Sequence, residues 1–189
     1  MEELIHNIIV WIQNFVLNNN IFVSLFIGSF IVVLESILPF LPLAVFIAIN
    51  IIAFGSTIGF ILSYISTIIG CTISFYMVRS LKKYNNSEFI EKLITKFESL
   101  KFSNLVIITA IPFTPAFSIN IAAGLSKMEY KKFLCILLIS KLSTIYFWGF
   151  IGTTLLESIT DVVVISKILV LLLATFILSK LVMKHFDIY

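Results

Sequence analysis

The amino-acid sequence predicts an all-α polytopic membrane protein made of two inverted units, each a re-entrant helical hairpin followed by a transmembrane helix, with about four full spans. Three observations point there. The 189 residues are 60% hydrophobic and 12% charged, with a mean hydropathy of +1.11. That is more apolar surface than one soluble core of this size can hide, so lipid is the expected solvent. All four prolines fall in two copies of one pattern, Pro39-Phe40-Leu41-Pro42 and Pro112-Phe113-Thr114-Pro115. Finally, basic residues cluster on both sides of the second copy, which sets both of its ends on one side of the membrane.

Residues 1–20 place Leu4, Ile8, Ile9, Trp11, Ile12 and Val16 at helical spacing among Glu2, Glu3, Asn7, Gln13 and Asn14, the pattern of an amphipathic interfacial helix. The acidic start MEELIH, with no small-residue cleavage site after the first apolar run, argues against a removable signal peptide. Residues 21–189 then read as a single membrane domain. Ile21 to Phe54 is almost wholly apolar for 34 residues, whereas about 20 cross a hydrocarbon layer about 30 Å thick. Glu35 and the first proline pair interrupt it, since a proline lacks the amide donor and clashes with the preceding turn. The expectation is a crossing over 21–34 and a hairpin over about 36–54.

Gly55–Val78 is a full apolar span. Arg79–Asn104 turns polar, with Phe89, Leu93, Phe97 and Leu100 recurring every three or four residues, so a cytoplasmic surface helix is expected over about 81–101. Leu105–Gly124 has the hydropathy of a span. It is preceded by Arg79, Lys82, Lys83, Lys92, Lys96 and Lys101 and followed by Lys127, Lys131 and Lys132, so a full crossing would leave one cluster outside. A hairpin over 105–124, broken at Pro112–Pro115, keeps both inside. Phe133–Gly152 then crosses outward, Thr153–Asp161 carries only Glu157 and Asp161, and 162–179 returns to Lys180 and Lys184. Both termini are thereby expected in the cytoplasm.

Each proline pair is followed by an asparagine and a glycine, Asn50 with Gly55 and Asn120 with Gly124. Helix-broken segments at corresponding places in two inverted halves point to a substrate site near the bilayer midplane. Irregular backbone at that depth persists only where protein or a water-filled cavity surrounds it. The candidate lipid-binding residues are therefore Pro39, Pro42 and Asn50 in the first hairpin and Pro112, Thr114, Pro115, Ser118, Asn120 and Gly124 in the second. The plainer alternative, that the prolines only kink two ordinary spans, leaves the flanking charges unexplained.

Charged residues at membrane depth extend that set. Glu35 either faces a cavity, where it could take up a proton or balance a cation, or lies solvated at the outer interface. Lys141, flanked by Ser140, Ser143 and Thr144, either pairs with a phosphate, a carboxylate or hairpin carbonyls, or snorkels to the interface. Arg79 is either an interfacial anchor or a contact for a lipid phosphate, which a guanidinium suits. Lys167 snorkels, and Trp11 and Trp148 read as interfacial belts.

Other function classes are disfavoured. The net charge of +3 is spread over short segments, so nucleic acid is not an expected partner. Cys71 and Cys135 lack CxxC spacing, and His6 and His185 are the only imidazoles, so neither metal, cofactor nor disulfide framework is expected. No GxSxG, HExxH, Walker or dinucleotide motif is present, and an enzyme is not expected.

The motifs ESILPFLP (35–42), GCTISFYMVR (70–79), AIPFTPAFSINIAAGLSKMEYKKF (110–133) and the span ending at Gly152 resemble the DedA family, the bacterial branch of the SNARE-associated or VTT-domain superfamily. The resemblance covers about residues 30–155. It implies two inverted re-entrant hairpins and movement of lipids between leaflets: undecaprenyl phosphate for bacterial members, phospholipids for eukaryotic relatives, with some members linked to proton-dependent membrane homeostasis. By position, Glu35 matches the family's acidic residue before the first hairpin and Arg79 the arginine closing the next span. Two departures stand out. Thr109 occupies the place of an arginine common three residues before the second hairpin's first proline, and Ser140 and Ser143 replace a glycine–proline pair. The lost arginine weakens the expectation of proton coupling and of a strict phosphate site, with Lys141 the alternative cation.

The leading expectation is a lipid transporter or scramblase of the bacterial cytoplasmic membrane, whose partners are membrane lipids with anionic head groups; a homo-oligomer is compatible with the sequence. The rivals are a proton- or cation-coupled carrier of a small solute, with Glu35 titrating, and a non-transporting scaffold docking through 79–104.

Overall fold

The helices begin and end where the sequence supplies caps and breaks. The computed structural model describes residues 18–38, 43–81, 88–114, 116–158 and 161–186, together with positions 7, 10, 11 and 14. Within them lie α1 (Ile21–Ile37), α2 (Leu43–Phe54), α3 (Ser56–Leu81), α4 (Glu88–Ser99), α5 (Phe102–Ala110), α6 (Ala116–Leu125), α7 (Tyr130–Glu157) and α8 (Val162–His185). The expected N-terminal helix falls largely outside the described residues, as do Pro39, Phe40, Leu41, Pro42 and Pro115.

Asn20 caps α1 by accepting from the Phe22 amide at 2.9 Å, and Asp161 caps α8 by accepting from Val163 and Val164. Between α2 and α3 the chain turns on Gly55 alone, at φ +81°, a conformation open to glycine because it has no Cβ. α1 does not break at Glu35. It continues to Ile37 and stops at Leu38 (φ −115°, ψ 87°), the non-helical conformation that a following proline imposes on its neighbour. The boundary expected at residue 35 thus lies at 38–42, and Glu35 is a residue of α1.

Three helices among the described residues are long and apolar enough to cross a membrane, over Ser56–Ser80, Tyr130–Leu156 and Val162–His185. α1 and α2 are shorter apolar helices of 17 and 12 residues. The protein is a helical membrane protein, and its packing is that of one. On α3, Gly59, Ser63, Ser66, Thr67, Gly70 and Ser74 are buried, whereas Ile58, Ile61, Ile65, Ile69 and Ile73 are exposed. Small residues face protein because they let backbones approach, and bulky apolar ones face outward because lipid is as apolar as they are. A Cβ on Gly59 would lie 2.4 Å from the Asn50 carbonyl oxygen, and one on Gly152 2.3 Å from that of Ala44. No side chain fits at either contact, so these glycines set how closely α2 packs on α3 and α7.

Contacts also fix the helix directions. The Asn50 amide bridges Gly28 on α1 to Ser63 on α3, and Gly70 on α3 faces Ser36 on α1. Eight residues along one helix match seven along the other, so α1 and α3 run parallel and residues 38–55 return the chain to the end where α1 began. The second part repeats this. Leu105 shares a cavity with Lys132, whereas Thr109 and Ala110 meet Thr144, so α5 and α7 run parallel with α6 between them in the chain. α3 and α7 are themselves antiparallel. Phe75 stacks on Phe133 with centroids 4.6 Å apart, and the Tyr64 hydroxyl donates to the Leu138 carbonyl at 2.6 Å.

α4 lies across one end of the bundle, with Phe97 buried against Leu105 and Phe133 in the main apolar cluster. α8 is peripheral: only 11% of its apolar window is buried. It touches the rest through Phe176, whose ring meets Phe113 edge-on, and through Val182 and Phe186.

Candidate functional site

Glu35 and Lys141 come from α1 and α7, 106 positions apart in sequence, and the fold buries both: Glu35 is 9% exposed and Lys141 3%. They lie within electrostatic reach of each other, with no hydrogen bond or ion pair joining them. Glu35 is thus buried rather than solvated at an outer position, and Lys141 is buried with an acidic group in its vicinity. A charge this buried requires such a neighbour, because taking it out of water costs several kcal/mol. Eight residues back from Phe75 and eight on from Phe133 bring Thr67 of α3 to the level of Lys141. Thr67 and Ser140 are buried there, and their hydroxyls have no hydrogen-bond partner among the described residues. Two buried ionisable side chains and two hydroxyls with unmet hydrogen bonds thus share one depth, near the middle of α3 and α7.

Asn50, the polar residue of the first hairpin, is 1% exposed. Its Nδ2 donates to the Gly28 carbonyl at 3.3 Å and to Ser63 Oγ at 3.0 Å, tying α1, α2 and α3 together. Its amide is engaged by protein at both contacts, so its main service is to hold the three helices in register.

The second helix break is handled by α7. α5 ends at Ala110, leaving carbonyls that no further turn can satisfy. Thr144 Oγ1 lies 3.4 Å from the Thr109 carbonyl and 3.3 Å from that of Ala110, and Thr109 Oγ1 donates to Leu105 at 2.7 Å. Pro112 is buried, and the turn closes with the Thr114 amide donating to the Ile111 carbonyl at 3.3 Å. Phe113 adopts φ +68°, which costs a non-glycine residue about 1–2 kcal/mol. Its ring packs edge-on against Trp148 at 5.1 Å and Phe176 at 5.9 Å, contacts that hold the turn in place. Trp148 therefore serves the turn, whatever its depth in the bilayer.

Arg79 sits at the end of α6. Its Nε donates to Gly124 at 3.1 Å, and its Nη2 reaches Ala123, Ser126 and Met128 at 3.4, 3.2 and 2.7 Å, all backbone carbonyls. The guanidinium also lies 4.2 Å from the Phe75 ring centre. A cation here satisfies carbonyls at a helix C-terminus and complements its dipole. A Cβ on Gly124 would fall 2.9 Å from the Phe75 carbonyl oxygen, so this glycine brings α6 close enough to α3 for the bonds to form. Asn120 is buried one turn earlier on α6, and Ser118 is half-buried.

The predicted residues thus divide. Glu35 and Lys141 converge at mid-depth, Asn50 cross-links the first three helices, and Arg79 with Gly124 forms a junction at one end. Pro39, Pro42 and Pro115 lie outside the described residues. Sequence reasoning did not single out Thr67 or Phe113, nor Thr144 as the cap of α5. A threonine inside an apolar span, level with a helix break on a neighbour, is a signal for the cap; nothing in the sequence marks Phe113 as left-handed. Among the described residues, no three or more His, Cys, Asp or Glu side chains gather as metal ligands.

Residues 38–154, which include both helix breaks and the Arg79 junction, match the model of the VTT domain. The chain is also 34% identical over 134 residues to YhjE, an uncharacterized membrane protein of Bacillus subtilis (strain 168), a match spanning 68% of this chain and 65% of that protein. No solved structure matches. The domain match covers more than half the chain and takes in the buried Lys141 as well as the arginine junction, and on that ground the protein belongs to the VTT-domain, or DedA, family of membrane proteins.

Proposed function

We propose that this protein moves lipid head groups between the leaflets of the bacterial cytoplasmic membrane, as a lipid transporter or scramblase without enzymatic activity, with undecaprenyl phosphate or a phospholipid as substrate. The observation that carries the proposal is the burial of Glu35 and Lys141 level with the unsatisfied hydroxyls of Thr67 and Ser140. A lipid's tail stays in hydrocarbon during such movement, so the barrier is desolvation of its head group, and a few polar side chains at mid-depth lower it. Lys141 supplies the cation for a phosphate, and Glu35 balances the charge of Lys141 while the site is empty.

In this reading the two parts of the chain are inverted repeats. α1 with α2, and α5 with α6, are re-entrant hairpins that enter and leave the bilayer on one side each, followed by the spans α3 and α7. The parallel pairs α1–α3 and α5–α7 and the antiparallel α3–α7 pair support it. So does the 2.7 Å bond from the Lys127 amide to Glu98 Oε1, which joins the chain just after α6 to the chain just before α5. The first hairpin is then about residues 21–54, longer than 36–54, so α3, α7 and α8 are the full spans and residue 21 lies on the side of the membrane opposite the cytoplasmic C-terminus.

Purified protein in liposomes is expected to accelerate leaflet exchange of a labelled anionic lipid over empty vesicles. Lys141→Ala slows the exchange at least tenfold, while Lys141→Arg, which keeps the charge, retains most of it. Equal exchange in protein-containing and empty vesicles would end the proposal. The topology has its own check: single cysteines at Ser103 and Lys127, in a chain cleared of Cys71 and Cys135, should react with an impermeant thiol reagent from the same side. Labelling from opposite sides would mean that 105–124 crosses.

A further inference from the structure

We infer that the end of the bundle where α4, α5, α6 and α7 meet carries a docking site for the phosphate of an anionic phospholipid, separate from the Glu35–Lys141 cluster. A cavity of about 240 Å³ opens there. Its floor is apolar, formed by Phe97, Leu100, Leu105 and Met128, and it is continuous with the main apolar cluster. Two ammonium groups, Lys127 and Lys132, stand on its lining and are exposed.

The shape and chemistry select the ligand. The volume is too small for a whole lipid and large enough for a phosphodiester with its first glycerol carbons. A lysine ammonium is a compact charge that serves a phosphate well. Glu98 and Ser126 complete the lining, Glu98 Oε1 accepting from the Lys127 amide at 2.7 Å, so two ammonium groups face one carboxylate there. Residues 96–101 and 126–132 carry five lysines against Glu98 and Glu129, and the local field therefore favours an anion. A free phosphate would press its hydration shell against Phe97 and Leu105. A lipid phosphate brings apolar atoms to cover that floor, which lies beside the Arg79 junction at the end of the long helices, where head groups of a surrounding bilayer sit.

The inference goes beyond lipid movement, since the site would hold a lipid whether or not the protein transports one. Binding of dihexanoyl phosphatidylglycerol to the full-length protein in detergent is measured by microscale thermophoresis, beside uncharged dihexanoyl glycerol and inorganic phosphate. Saturable binding of the phosphatidylglycerol is expected, weakened about tenfold in Lys127→Ala/Lys132→Ala. Lys131→Ala, an exposed lysine that does not line the cavity, is expected to bind as the parent does. The site is overturned if Lys131→Ala weakens binding as much as the double variant, which would show only a generally basic surface. Equal affinity for the uncharged lipid would show only an apolar hollow, and equal affinity for inorganic phosphate would remove the lipid from the proposal. Leaflet exchange by the double variant, measured separately, tells failure of this site from failure of the transport reading.

Discussion

Replacing Arg79 by alanine lowers the apparent melting temperature of the protein in detergent by about 10 °C. Through the one hydrogen on Nε and the two on Nη2, the guanidinium reaches four backbone carbonyls, at Ala123, Gly124, Ser126 and Met128. Hydrogen bonds to a charged group are each worth about 1.5–3 kcal/mol, and of the carbonyls left behind Ala123 keeps the Ser126 hydroxyl as a donor. Even allowing for water at this end of the bundle, a net cost of about 3 kcal/mol follows, and for a chain of this size each kcal/mol moves the midpoint by about 2–4 °C. Arg79→Lys recovers little, because an ammonium lacks the second donor nitrogen that reaches Gly124 and the planar face that lies over the Phe75 ring. If lysine restored full stability, the planar fork would be irrelevant and Arg79 would act as a charge alone.

The second large effect lies at the buried pair. Lys141→Ala removes the opposite charge nearest Glu35, and Glu35→Gln does the same to Lys141; without direct contact the coupling is smaller than that of a bonded buried pair, about 1–2 kcal/mol. The double variant Glu35→Gln/Lys141→Gln removes both charges and is expected to be more stable than at least one single variant. A double-mutant cycle of unfolding free energies, measured by titration with a denaturing detergent, reads the coupling directly. Strictly additive costs would mean that the two side chains do not sense each other, and the proposed polar cluster would lose its centre. The family resemblance alone does not anticipate this pairing, since Thr109 stands where a family arginine is expected and the cation comes from the neighbouring span.

Much of the architecture was legible before any coordinates. Membrane residence, a helix before Leu105 and the interruption at Pro112–Pro115 follow from hydropathy, helical periodicity and the chemistry of proline, all local properties. The first break was misplaced by a few residues for an equally local reason. Glu35 was read as part of the interruption, yet a carboxylate does not stop a helix, whereas Pro39 imposes the observed stop at Leu38.

Which polar residues meet could not be read in that way. Arg79 was open between an anchor and a phosphate contact, and only the approach of α6, allowed by Gly124, shows that its donors serve carbonyls. Glu35 and Lys141 each looked isolated, and their encounter depends on the packing of α1 and α7 around α3. The sequence by itself determined that this chain lives in lipid and where its helices break, because solvent preference and backbone breaking are written into single residues. Tertiary structure alone decided which charges lie near each other and which carbonyls are capped, because those partners lie dozens of residues apart and come within reach only when small residues let the helices close together.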